Sequence, residues 1–119
     1  MADWPARAAA LLLACACGGA LAAGPDRDAA LAAYRAGDFD AAQRIYRRLA
    51  RRGDASAMNN LGVMYLRGEG VRQDYVEAMR QFLAADDLGL RSAQYNIGML
   101  YLRGYGVPAD PVVAARWLK

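Results

Sequence analysis

The sequence contains no histidine and no threonine, and only two serines, Ser56 and Ser92. Its two cysteines, Cys15 and Cys17, both lie among the first 20 residues, and its one lysine is Lys119. Without histidine there is no Ser-His-Asp relay and no imidazole ligand for a metal. With no thiol after Cys17, the body of the chain cannot be stapled by disulfides. Isoleucine is scarce as well, present only as Ile45 and Ile97. Little β-branched material is therefore available for a sheet. What is abundant points the other way. Alanine fills 27 of 119 positions, and arginine outnumbers lysine 14 to 1. Ala, Leu and Arg are all good helix formers. The length suits one domain, and 56% hydrophobic with 23% charged residues is a globular balance.

The N-terminus reads as an address. Arg7 follows the amino terminus, residues 8–16 are apolar, and Gly18-Gly19 leads into Ala20-Leu21-Ala22-Ala23. That order of charge, apolar run and small residues is the pattern of a secretory signal peptide, with a cut expected after Ala22 or Ala23. The apolar stretch is shorter than the about 20 residues that span a bilayer. An alternative uses Leu12-Leu13-Ala14-Cys15, which resembles a bacterial lipoprotein cleavage box and would make Cys15 a lipid-bearing first residue. The expected location is periplasmic or secreted, or lipid-anchored through Cys15.

The body of the chain repeats itself with an offset of 36 residues. Residues 57–83 laid over 93–119 match at 13 of 27 positions without a gap. Asn60/Asn96, Gly62/Gly98, Tyr65/Tyr101, Arg67/Arg103, Gly68/Gly104, Gly70/Gly106 and Asp74/Asp110 are among the identities. The offset reaches upstream through Asp38, Ala42 and Arg44, and breaks before Asp38 because the connection there is five residues shorter. Three units follow, at about 26–54, 55–90 and 91–119.

Each unit reads as a helix pair. Asp38, Asp54, Asp74 and Asp110 precede helical stretches as N-caps. Asp74 with Glu77 has the spacing of a capping box, and Pro111 suits a first helical position. Gly37, Gly53, Gly68, Gly89 and Gly104 stand where helices end in a left-handed residue. Helices are expected near 26–36, 39–52, 55–67, 75–88, 91–103 and 111–119. Ala42, Ile45, Tyr46 and Leu49 form the inward stripe of the second. Tyr65, Tyr101, Phe82 and Trp117 have core spacing. Gly62 and Gly98 fall mid-helix, where recurrence suggests a close approach of two helix backbones. One pair cannot bury its own apolar face, so the units must stack into a solenoid.

The run Asn60-Leu61-Gly62, then Tyr65-x-x-Gly68-x-Gly70-Val71-x-x-Asp74, then Ala78-x-x-x-Phe82, resembles the Sel1-like repeat. The stretch from Asn96 through Asp110 to Ala114 resembles it again. The upstream unit, with Tyr34-x-x-Gly37-Asp38-Phe39 and Ala42-x-x-x-Tyr46, is similar to a tetratricopeptide repeat. The resemblance implies an all-α fold, an α/α superhelical solenoid of helix-turn-helix repeats, and a scaffold that binds other proteins or peptides. Some Sel1-like proteins are cysteine-rich and linked to β-lactam binding or hydrolysis. This chain lacks those cysteines, so that activity is not carried over.

Catalytic candidates are thin. Asp38/Asp40 and Asp86/Asp87 flank helix ends, where capping and exposure explain them better than a shared proton. Gly68-Glu69-Gly70 follows a helix rather than a strand, unlike a phosphate loop. No enzyme, cofactor or metal is expected.

Partner-binding candidates are richer. Arg44, Arg47, Arg48, Arg51 and Arg52 recur along one helical face, as a solvated surface or as a binder of anions: an acidic protein segment, or the headgroups of an anionic membrane or envelope surface. No aromatic residue interleaves with them as nucleic-acid stacking requires, so no nucleic-acid partner is expected. Asn60 and Asn96 lie on first helices, which line the concave side in folds of this kind. They would either hydrogen-bond an extended peptide or tie a neighbouring loop within the solenoid. Arg67, Arg103 and Tyr105 border the loops as a binding edge. Apolar surface at Trp117 and Leu118 suggests self-association through the C-terminal end. The leading expectation is an exported, protein-binding envelope adaptor.

Overall fold

The computed structural model describes residues 23–119. The expected leader at 1–23, Cys15 included, therefore lies outside the described residues except for Ala23. Among the described residues there are six helices and no strand: α1 (Ala23–Arg35), α2 (Phe39–Arg51), α3 (Ala55–Arg67), α4 (Tyr75–Asp87), α5 (Arg91–Arg103) and α6 (Pro111–Trp117). Each helix packs mainly on the ones before and after it in sequence. This nearest-neighbour contact pattern is that of a solenoid.

Local signals set the helix boundaries. Asp38, Asp54 and Asp74 each accept a hydrogen bond from the backbone N–H three residues on, at 3.2, 3.1 and 3.0 Å, and Asp110 accepts from both Val112 and Val113. Only half of the expected capping box forms at α4. The Glu77 carboxylate turns to Arg80 (3.0 Å) and Gln81 (3.1 Å), while the Asp74 backbone N–H donates to the Tyr65 carbonyl. The α5 start has Leu90 where α3 has Asp54, and no side chain caps it. The five predicted left-handed glycines all have positive φ, as do Gly70 and Gly106.

Gly70 and Gly106 are where one unit meets the next. A Cβ at Gly106 would lie 2.8 Å from the Tyr75 Cβ, and one at Gly70 would collide with the Phe39 carbonyl oxygen. Tyr75 stands 36 residues after Phe39, so the same joint is made twice. The loop of each later unit thus rests on the first turn of the preceding unit's second helix.

Two apolar clusters run along the solenoid. One holds Ala30, Ala42, Tyr46, Leu49, Ala57, Leu61 and Met64; the other holds Ala78, Met79, Phe82, Ala85, Ala93, Ile97 and Leu100. Half-buried Tyr65 packs against both, which couples the units. Of the α2 stripe, Ala42, Tyr46 and Leu49 are buried and Ile45 is half-buried. Phe82 is fully buried, but Tyr65, Tyr101 and Trp117 are only half-buried. A phenol or indole at a helix–helix edge can bury its ring while its polar atom stays wet.

The mid-helix glycines serve a different purpose from the one their recurrence suggests. A Cβ on Gly62 would lie 2.6 Å from Cε1 of Phe82, and one on Gly98 would lie 2.7 Å from Cγ of Leu118. What approaches closely is a large side chain at equivalent positions of the two units, not a second backbone. The missing Cβ makes room for the ring that fills the core.

Candidate functional site

No polar or charged residue is buried among the described residues, and no cluster of acidic or thiol side chains there could hold a metal. Asp38 is used as a cap, Asp40 pairs with Arg44 at 3.4 Å, and Asp86 accepts from Gln94 at 2.9 Å. Surface features with shape among the described residues include two hollows on the side of the first helices and a groove on the side of the second helices.

The first hollow, of about 180 Å³, is lined by Leu31 and Tyr34 of α1, Tyr46 of α2, and Asn60 and Val63 of α3. The second, of about 170 Å³, is lined by Leu66 of α3, by Tyr95, Asn96, Met99, Leu100 and Arg103 of α5, and by Tyr105 of the following loop. Asn60 and Val63 correspond to Asn96 and Met99 through the 36-residue offset, so both hollows use the same positions in successive units. Small-molecule sites usually enclose about 300–1,000 Å³. Each hollow is instead the size for one side chain of a longer ligand.

The second hollow brings Asn96, Arg103 and Tyr105 together. Tyr105 is held by a parallel stack on Tyr75, with ring centroids 4.8 Å apart and planes 6° from parallel. Asn96 donates to the Asn59 side chain at 2.9 Å. Arg103 is exposed at the rim and makes no ion pair among the described residues. Tyr95 is 58% exposed beside it, a large aromatic face open to a partner. Sequence reasoning missed Tyr95, Met99 and Leu66. Nothing local distinguishes them from core residues of an amphipathic helix.

The first hollow is more occupied by its own chain. Asn60 and Tyr46 line it side by side. Burial is the main cause that pushes the Tyr46 phenol above its ordinary pKa, and the Asn60 contact opposes it. Tyr34 donates to Glu69 at 2.8 Å and accepts from Arg67 at 3.1 Å. Its pKa is also raised, first by burial and then by the hydrogen bond to Glu69. Arg67 thus belongs to a contact between the first unit and the loop of the second. Its side chain remains 61% exposed. Asn96 bonds a neighbouring side chain rather than the loop backbone.

The arginine stripe divides. Arg44, Arg48 and Arg52 form the outer line at i, i+4, i+8 spacing. Arg44 pairs with Asp40, and Arg52 lies 3.8 Å from Asp26. Arg47 and Arg51 face instead into the groove between α2 and α4, of about 320 Å³, with Ala50, Met58, Leu61, Arg80, Gln81 and Ala84. Arg47 donates to the Tyr65 hydroxyl at 2.9 Å and lies 5.9 Å from the centre of its ring. An aromatic residue from α3 therefore does adjoin the stripe, a neighbour the α2 sequence could not show.

At the C-terminal end, Trp117 is half-buried against the α4–α5 cluster, and Leu118 covers Gly98 while remaining 41% exposed. The apolar end is thus partly closed by its own chain and is flanked by Arg91 and Lys119. No helix among the described residues is long and apolar enough to cross a membrane.

Comparison with known proteins agrees with this geometry. The model of the Sel1 repeat matches residues 55–85 and 91–119. No curated protein sequence matches the chain. Among solved structures, a Sel1 repeat protein from Oxalobacter formigenes is 31% identical over 76% of this chain, with a TM-score of 0.68. A protective antigen of uropathogenic Escherichia coli displaying an SLR fold is 33% identical over 80%, with a TM-score of 0.72. This chain spans 37% and 21% of the length of those two proteins. Sel1 repeats generally form protein–protein interaction scaffolds and are typically non-enzymatic. Two in-phase copies of the repeat, folded as stacked helix pairs and matched by solved solenoids of the same kind, show that the chain belongs to the Sel1 repeat family.

Proposed function

We propose that this protein is an exported scaffold of the bacterial envelope that binds a partner protein through an extended segment lying along its first helices. One observation carries the reading: Asn96, Arg103 and Tyr105 converge with exposed Tyr95 around a hollow sized for a single side chain. Such a site recognises by shape and a few polar contacts, and it needs no turnover. Stacked Tyr105 is pre-ordered, which lowers the entropy lost on binding. Arg103 offers a forked donor to a carboxylate or a backbone carbonyl of the guest segment. Export rests on the charged, apolar and small-residue order of residues 1–23.

The test is affinity capture from the native envelope, with the protein and with its Arg103→Gln/Tyr105→Ala variant. One partner held by the parent in high salt and lost by the variant supports the proposal. An unchanged partner set refutes the placement of the site. Mass measurement of the envelope-extracted protein tests export: a chain beginning after Ala22 or Ala23 fits cleavage, and an intact N-terminus refutes it.

A further inference from the structure

The groove on the opposite side is unlike the two hollows. Arg47 and Arg51 come from one wall, α2, and Arg80 from the other, α4; the floor is Met58 and Leu61 of α3 with Ala84 of α4. Three arginines therefore line one groove together with apolar side chains. Among the described residues, the only carboxylate paired with any of them is Glu77, 3.0 Å from Arg80. Arg27, Arg44, Arg52 and Arg67 sit beside carboxylates of their own, while Arg48, Arg91 and Arg103 among others have none among the described residues. Among the described residues, Arg47 and Arg51 have none, and Arg47 is held in place through Gln43 and Tyr65. A positive excess lining one groove beside apolar residues is complementary to an acidic ligand.

We infer that the groove between α2 and α4 is a second docking site, for an acidic amphipathic segment of another protein. Two or more carboxylates of the segment face Arg47, Arg51 and Arg80, and an apolar side chain between them rests on Met58, Leu61 and Ala84. The geometry favours a protein segment over a lipid surface. Arg47 and Arg51 of α2 and Arg80 of α4 line one groove from two different helices, whereas a bilayer presents a plane. The line that a plane would meet is Arg44, Arg48 and Arg52, two of which already have carboxylate neighbours. A scaffold with ligands on both of its sides would link two proteins. This groove shares no residue with the hollow at Tyr105, so it can be tested even if that site proves empty.

The experiment selects short random peptides displayed on phage against the protein, then measures their affinity by fluorescence anisotropy. The R47Q/R51Q/R80Q variant is the test, R44Q/R48Q/R52Q the control, and helical circular dichroism verifies that both fold. Expected are peptides with acidic residues flanking an apolar one, bound about tenfold or more weaker by the groove variant, as follows from losing three partly exposed charge pairs. The control variant and the R103Q/Y105A variant should bind them within about twofold of the parent. Selected peptides without acidic residues, or equal binding by the groove variant, overturn the proposal. So does a loss confined to the control variant. Vesicles of phosphatidylglycerol form a separate arm: binding that the groove variant abolishes would assign these arginines to a membrane instead.

Discussion

Replacing Gly62 by alanine should destabilise the protein, although the same change at Gly98 should not. A glycine-to-alanine change inside a helix normally gains about 1 kcal/mol, because alanine loses less backbone freedom on folding. At Gly62 the new methyl meets Cε1 and Cδ1 of Phe82 at 2.6 and 2.8 Å. Phe82 is completely buried, so its ring has no free volume to enter. Overpacking of a filled core costs about 1–3 kcal/mol. The net expectation is a loss of about 1 kcal/mol, which lowers the melting temperature by about 4–8 °C for a chain of this size. At Gly98 the methyl meets Leu118, which lies just past the last turn of α6 and is 41% exposed. Leu118 can turn toward solvent, so most of the helix gain survives. Phe82→Leu in the Gly62→Ala background puts the third unit's leucine opposite the new methyl and should recover part of the loss, with a coupling above about 0.5 kcal/mol. The assay is urea denaturation followed by helical circular dichroism on the four variants. Equal stabilisation by both glycine substitutions would refute the reasoning, as would strict additivity of Gly62→Ala and Phe82→Leu.

Asp54→Ala removes the cap of α3 and the partner of Arg27, and should cost about 1–2 kcal/mol in the same denaturation. Arg27→Ala should cost less than about 1 kcal/mol, since Arg27 is more than half exposed. Gly53→Ala should cost about 1–2 kcal/mol, the left-handed penalty alone, because nothing crowds a Cβ there. Gly70→Ala adds a collision with the Phe39 backbone and should cost at least about 1 kcal/mol more; equal losses would contradict the inter-unit joint described here. The raised pKa values of Tyr34 and Tyr46 mean that the folded chain keeps these phenolic protons to higher pH than the unfolded chain does. Their contribution is complete below the ordinary tyrosine value of about 10 and declines as pH rises above it. Melting temperature should therefore fall above about pH 10, and less steeply in the Tyr34→Phe/Tyr46→Phe variant; identical slopes would refute the assignment.

The sequence by itself determined the helices and their punctuation. Aspartate caps, terminal glycines and apolar spacing act within one or two turns, so the observed ends of α2 to α5 fall within a residue of expectation. The in-phase copies also announced a stacked solenoid, because a repeated unit with one apolar face must bury that face on its neighbour. Only the tertiary structure decided which side chains meet between units. The five arginines from Arg44 to Arg52 look like one stripe along the chain, yet helix packing sends Arg47 and Arg51 into a groove shared with Arg80 and leaves the others outside. Arg67 and Arg103 occupy identical repeat positions, but only Arg67 has a tyrosine and a glutamate beside it, supplied by Tyr34 and Glu69. Gly62 and Gly98 could be located in sequence, whereas the ring that needs the room at Gly62 lies 20 residues away on the next helix. Capping and periodicity are local interactions carried by neighbouring residues. Grooves, stacks and ion pairs depend on distances between elements, which exist only once the helices have packed.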